Sequence, residues 1–217
     1  MKKTITVKGI GKVSVKPDYV VVAITLESKD REYERAMNIA SEHIDNITET
    51  LCLVGFDKED LKTTSFTVRT DYDDERDSNG NYKRIFAGYS VVHDLKISFD
   101  FDMEKLAKTL SAISKCISQP DLSISFTVKD PEAINEELLI SATKNARKKA
   151  KILCKAANVK LGELKLIDYN WNHPDICSET KYAVDSGPMF LADSREIDIV
   201  PDDISTSDSA TFVWEIK

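Results

Sequence analysis

The chain has 217 residues, 41% of them hydrophobic and 31% charged, enough apolar material for a proper core beneath a surface suited to water. A formal charge of −7 sets the mean surface against nucleic acid and anionic membrane alike. No run approaches the ~20 apolar residues of a bilayer-spanning helix, so no membrane insertion is expected, and no linker divides the sequence, so residues 1–217 read as a single domain.

Thr4 to Lys8 alternates polar and apolar residues as a short strand, and Gly9 to Gly11 reads as a turn. Val13 to Glu27 follows as a long strand broken at Pro17, apolar on both faces and therefore expected to be covered on both sides. Asp30 reads as the N-cap of a helix whose stripe runs through Tyr33, Met37, Ala40, Ile44, Ile47, Leu51 and Val54, with Gly55 closing it as the first residue beyond the cap. Leu61 to Tyr72 and Ile85 to Phe101 are strands expected to pair antiparallel across a polar hairpin tip containing Asn79-Gly80.

Met103 to Ile117 carries Leu106, Leu110 and Ile113 at helical spacing, and Leu122 to Val128 alternates as a strand. Asp130-Pro131 supplies an N-cap and a proline at the first helical position, opening a long helix that reaches about Asn158. Leu164 to Trp171 is a strand, residues 172–194 are irregular, and Asp208 to Lys217 ends the chain as a strand with Ala210, Phe212, Trp214 and Ile216 on one face. The order β-β-α-β-β-α-β-α-β-β mixes hairpins with helices. It predicts an α+β fold with one short and two long helices and mixed, mainly antiparallel sheet.

Gly9-x-Gly11, Pro17-Asp18, Gly55 and Asp60-Leu61-Lys62-Thr63 occur in that order. Gly88-Tyr89, the alanine row Ala142, Ala146 and Ala150, Gly162, and the closing Pro201 to Ile204 and Phe212 to Ile216 follow. This succession resembles the SIMPL family, a domain of unknown function, over nearly the whole chain. The family includes a bacterial periplasmic antigen that resembles a ring or channel-like assembly, an oxidative-stress defence protein, and an animal protein that binds a receptor-associated kinase. The resemblance implies architecture and a tendency to assemble, and it supplies no catalytic residue set. Many bacterial members carry a secretion signal. Here Met1-Lys2-Lys3 leads into alternating residues rather than an apolar segment, and the expected location is cytoplasmic.

The residues give no chemistry of their own. The carboxylates Asp71, Asp73, Asp74, Glu75 and Asp77 lack the glycine and glutamate spacing of a calcium loop and read as a solvated hairpin tip. Lys144, Arg147, Lys148, Lys149 and Lys151 lack interleaved aromatics and read as the solvated face of the long helix, opposite its alanine row. That row suits close packing against a sheet or another helix. His43, His93 and His173 are far apart, and His173 with Asp175 and Cys177 makes at most half a metal site. Cys52, Cys116, Cys154 and Cys177 have no paired spacing and read as reduced thiols, Cys177 being the best placed for redox chemistry.

The expected function is therefore non-enzymatic, with no catalytic residue, cofactor or metal, in a chain that self-associates into a homo-oligomer. A protein-binding adaptor, or a small-molecule binder or enzyme with a site assembled from distant residues, are the alternatives. Tyr89 and Trp214 are expected to be exposed apolar groups. The stretch holding Tyr182, Val184, Met189, Phe190 and Leu191 is too apolar for a solvated linker and is the expected subunit contact.

Overall fold

The computed structural model describes residues 3–76, 82–116, 118–170, 176–180, 182–184 and 200–217. The elements are β1 (Thr4–Val15), β2 (Tyr19–Asp30), α1 (Tyr33–Leu53), β3 (Lys62–Arg76), β4 (Tyr82–Asp100), α2 (Met103–Ile113), β5 (Asp121–Thr127), α3 (Pro131–Ala156), β6 (Leu161–Asp168), β7 (Tyr182–Val184) and β8 (Ile204–Ile216). This is the expected α+β order, with the short strand β7 added inside the stretch read as irregular. Two compact units share the chain: residues 1–18, 126–179 and 201–217 form the first, residues 19–125 and 180–200 the second.

In the first unit, β1, β8 and β6 form an antiparallel sheet in that order, and α3 lies across it. Alternation in β1 and β8 turns Val7, Val13, Ala210, Phe212 and Trp214 toward the helix. The alanine row is the helix's contribution: Ala142, Ala146 and Ala150 are all buried. β1 runs unbroken through Gly9 and Gly11, so the turn expected there is absent. The glycines serve close approach instead. A Cβ on Gly9 would overlap the Ala142 carbonyl oxygen and sit 2.8 Å from Ala146 Cβ, and one on Gly11 would overlap the Leu138 carbonyl oxygen. Trp214, expected at the surface, is buried against Phe212 with ring centroids 5.5 Å apart.

Local chemistry fixes the ends of α3. The Asp130 carboxylate accepts the Ala133 N–H at 3.0 Å with Pro131 at the first turn, as the sequence indicates. At the other end Asn158 takes φ 53°, and the N–H groups of Asn158 and Val159 return to the Lys155 and Cys154 carbonyls.

In the second unit the sheet order is β3-β4-β2-β5-β7, with α1 packed on β2 and β4 and α2 against α1. β2 buries Val20, Val22, Ile24 and Leu26 on one face while Ala23 and Glu27 are exposed on the other, so it is covered on one side rather than two. Helix α1 begins at Tyr33 rather than at a cap on Asp30. Asp30 ends β2, and its carboxylate accepts the Glu32 N–H at 2.8 Å. The buried stripe of α1 is Ala36, Ala40, Ile47 and Leu51, with Tyr33 exposed. Gly55 closes the helix at φ +94°, where its N–H and that of Phe56 bond the Cys52 and Leu51 carbonyls.

Candidate functional site

Helix α3 presents three flanks with different work. The buried alanine row faces the sheet. One neighbouring flank, Ser141, Asn145 and Lys149, repeats every four residues and lies along the outer edge of β1. Asn145 Oδ1 accepts the Ile10 N–H at 3.2 Å, Ser141 Oγ accepts the Lys12 N–H at 3.3 Å, and Lys149 Nζ donates to the Lys8 carbonyl at 3.1 Å. An edge strand normally offers unpaired backbone groups to any passing chain. Here helix side chains bond those at Lys8, Ile10 and Lys12.

The opposite flank, Thr143, Arg147 and Lys151, overhangs β6. Between them runs a groove of about 490 Å³, walled also by Leu161, Leu164, Phe212 and Trp214. The basic run Lys144 to Lys151 is thus divided: Lys149 closes a sheet edge, Arg147 and Lys151 rim a groove, and Lys144 and Lys148 face solvent.

Helix α3 covers β1 and β8 and reaches β6 only at its start, where Leu161 packs against it. β6 ends the sheet, and Leu164, Leu166 and Ile167 are 44%, 56% and 53% exposed. Simple alternation would separate Leu164 from Ile167. Two irregularities in the β6–β8 register place Leu161 opposite Ile216, Leu164 opposite Trp214 and Ile167 opposite Phe212, which sets all three on the helix side of the sheet. On β6, Lys165 bonds Glu163 at 2.9 Å and bridges Glu215 at 3.2 Å, and these partners raise its pKa.

The second unit has its own exposed apolar surface. β2 pairs with β4 only from Tyr89 to Asp100, so Tyr82 to Gly88 and the facing part of β3 continue as a two-stranded ribbon. Its aromatics form a chain of edge-on rings, Tyr72 to Phe86 to Tyr89 to Tyr33, at 5.3–6.1 Å between centroids. Arg84 stacks 4.9 Å above Tyr72. The carboxylates of Asp71, Asp73, Asp74 and Glu75 lie on β3 of this ribbon, opposite a basic pair, Asp74 facing Arg84 and Glu75 facing Lys83. The Asn79-Gly80 turn and Asp77 lie outside the described residues.

The sequence did not reveal one pairing: Ser28 Oγ lies 2.9 Å from His43 Nδ1, because β2 and α1 bring together residues that carry no motif. A hydroxyl against an imidazole is the start of a nucleophile–base pair. Ser28, however, is only 2% exposed, which closes its oxygen to any substrate carbonyl. His93 Nε2 meets Thr63 Oγ1 at 2.9 Å with Phe66 edge-on to its ring, and burial lowers its pKa. Among the described residues no cluster of histidine, cysteine or carboxylate ligands could hold a metal ion. Of the cysteines, Cys52 is exposed, Cys177 half-buried, and Cys116 and Cys154 buried.

Of the expected contact residues, Tyr182 and Val184 belong to β7, in register with Ile124 and Leu122 of β5. Met189, Phe190 and Leu191 lie outside the described residues, as does His173. No helix among the described residues is long and apolar enough to cross a membrane. No curated protein matches the chain. The SIMPL family model, a protein of unknown function (DUF541), matches residues 5–214, a span that takes in the glycine seam, the β3–β4 ribbon and the open strand β6. The chain belongs to the SIMPL (DUF541) family.

Proposed function

We propose that this protein is non-enzymatic and acts through self-association in a cytoplasmic setting. The observation that carries the reading is where the exposed apolar side chains lie. Besides single exposed residues on the helices, they form two groups at sheet margins, Leu164, Leu166 and Ile167 on β6 and Tyr72, Ile85 and Phe86 on the β3–β4 ribbon. Margins of this kind suit protein–protein contact, since contiguous exposed apolar surface marks interaction sites. The buried Ser28 argues against its pairing with His43 serving catalysis, and the free thiols of Cys52, Cys116 and Cys154 fit a reducing compartment. Light scattering and native mass measurement at tens of micromolar test the reading: an oligomer is expected, and a strict monomer overturns it.

A second reading, an adaptor for another protein, is favoured by the ribbon. Its aromatic row, half-exposed at Tyr72 and Phe86, offers rigid amphipathic anchors of the kind enriched at recognition surfaces. Replacing Tyr72 and Phe86 by serine separates the two readings. Loss of oligomer assigns the ribbon to self-contact, whereas an unchanged oligomer that no longer captures a host protein assigns it to the adaptor role.

A further inference from the structure

We infer that β6 is the contact element of a two-fold pair, joining β6 of a second copy antiparallel about Leu164; this rests on the self-association reading. The sequence of the strand is complementary to its own reverse. Pairing Leu164 with Leu164 of the second copy places Glu163 opposite Lys165, Gly162 opposite Leu166, Leu161 opposite Ile167 and Lys160 opposite Asp168. Every step outward from the centre matches charge with opposite charge or an apolar residue with another apolar residue or glycine. Directly opposed side chains on antiparallel strands interact in this way, whereas like charges opposed would repel.

The structure supplies what the pairing requires. β6 ends its sheet, while at the other end Asn145, Ser141 and Lys149 of α3 bond the middle of β1 at Ile10, Lys12 and Lys8, so β6 is the less protected edge among the described residues. The register irregularities bring Leu161, Leu164 and Ile167 to one face. A two-fold axis through Leu164, perpendicular to the sheet, keeps that face common to both copies. The leucine of each centre and the Leu161–Ile167 pairs then form one apolar seam, continuous with Phe212 and Trp214. Leu164 and Ile167, about half exposed in the single chain, become covered. The occupant is a second copy because the complementarity is palindromic, a property that a foreign strand has no need of.

The test uses the full chain with Cys52→Ser, which removes the exposed thiol. Two residues facing themselves across the axis fall within disulfide reach, and two displaced from it do not. Leu164→Cys should give a covalent dimer on mild oxidation, whereas Leu166→Cys, whose copies stand about 13 Å apart along antiparallel strands, should not. Leu164→Lys, at an exposed position that leaves the circular-dichroism spectrum unchanged, should raise the dimer dissociation constant about tenfold or more by opposing two cations at the axis. If the chain self-associates but Leu164→Cys does not cross-link and Leu164→Lys leaves the mass unchanged, the strand register is overturned while self-association stands. If the chain carrying only Cys52→Ser is a monomer at tens of micromolar, both fall.

Discussion

The backbone N–H of Ile10 donates to Asn145 Oδ1 at 3.2 Å, linking positions 135 residues apart in sequence. The bond fixes α3 along the rim of its sheet and removes one of the donors through which β1 could pair with another strand. With Ser141 and Lys149 it makes the helix a seal as well as a packing layer.

Asn145→Ala should therefore lower stability by about 0.5–1.5 kcal/mol, the worth of an ordinary hydrogen bond. Urea unfolding monitored by circular dichroism measures it. Combining Asn145→Ala with Ser141→Ala should also increase aggregation at fixed protein concentration, because two adjacent amides of β1 are then offered to neighbours. An unchanged aggregation rate would remove the sealing role.

Gly11→Ala and Gly55→Ala should both destabilise, for different reasons. At Gly11 the added methyl meets the Leu138 carbonyl and stands 2.9 Å from Ala142 N, so α3 must move off the sheet. Overpacking of this kind costs about 1–3 kcal/mol. At Gly55 there is open space around the new methyl and the cost is backbone strain at φ +94°, about 1 kcal/mol. Gly55→Asn should recover part of that loss, since asparagine tolerates the left-handed region, while Gly11→Asn should be worse than Gly11→Ala. Thermal unfolding of the four variants distinguishes the two mechanisms.

His93 gives the fold a sensitivity to mild acid. Burial lowers its pKa in the folded state, opposed by the nearby Asp94 carboxylate. The unfolded chain then binds the proton more readily, so stability is fullest above about pH 6.5 and declines as pH falls through the lower folded value. His93→Gln should lose less stability than the parent between about pH 7 and pH 5. Equal slopes for the two proteins would show that the imidazole is not the group responsible.

Thiol reactivity should follow burial. Under native conditions a maleimide should modify Cys52 first and Cys177 more slowly, with Cys116 and Cys154 protected until the chain unfolds. Cys116 is held further by a 3.0 Å contact between its sulfur and Thr50 Oγ1. Mass mapping of the modified sites checks the order. Rapid native labelling of Cys154 would mean that α3 opens locally.

Much of the architecture was legible because it is written in local rules. The cap on Asp130, Pro131, the left-handed Gly55 and the alternating even positions of β8 each carry their own physical cause. What misled was the pair Gly9 and Gly11. Glycine serves turns and close approach equally well, and only the position of α3 decides between them. Trp214 misled similarly, since alternation gives two faces but not which of them a helix will cover. The open edge of β6 was still harder to read. It depends on which strand ends the sheet and on register irregularities that regroup Leu161, Leu164 and Ile167, neither of which a period of two contains. The pairing of Ser28 with His43 arises from tertiary packing of β2 against α1 and has no sequence signature.

A sheet with one rim protected by a helix favours growth at the other. If copies pair at β6 as inferred, that rim is consumed in both partners, and the rims left outward are those that α3 bonds at Lys8, Ile10 and Lys12. Extension through this sheet would then favour a pair over a filament. A larger assembly would then need a surface of another kind, and mutation could remove the two contacts one at a time.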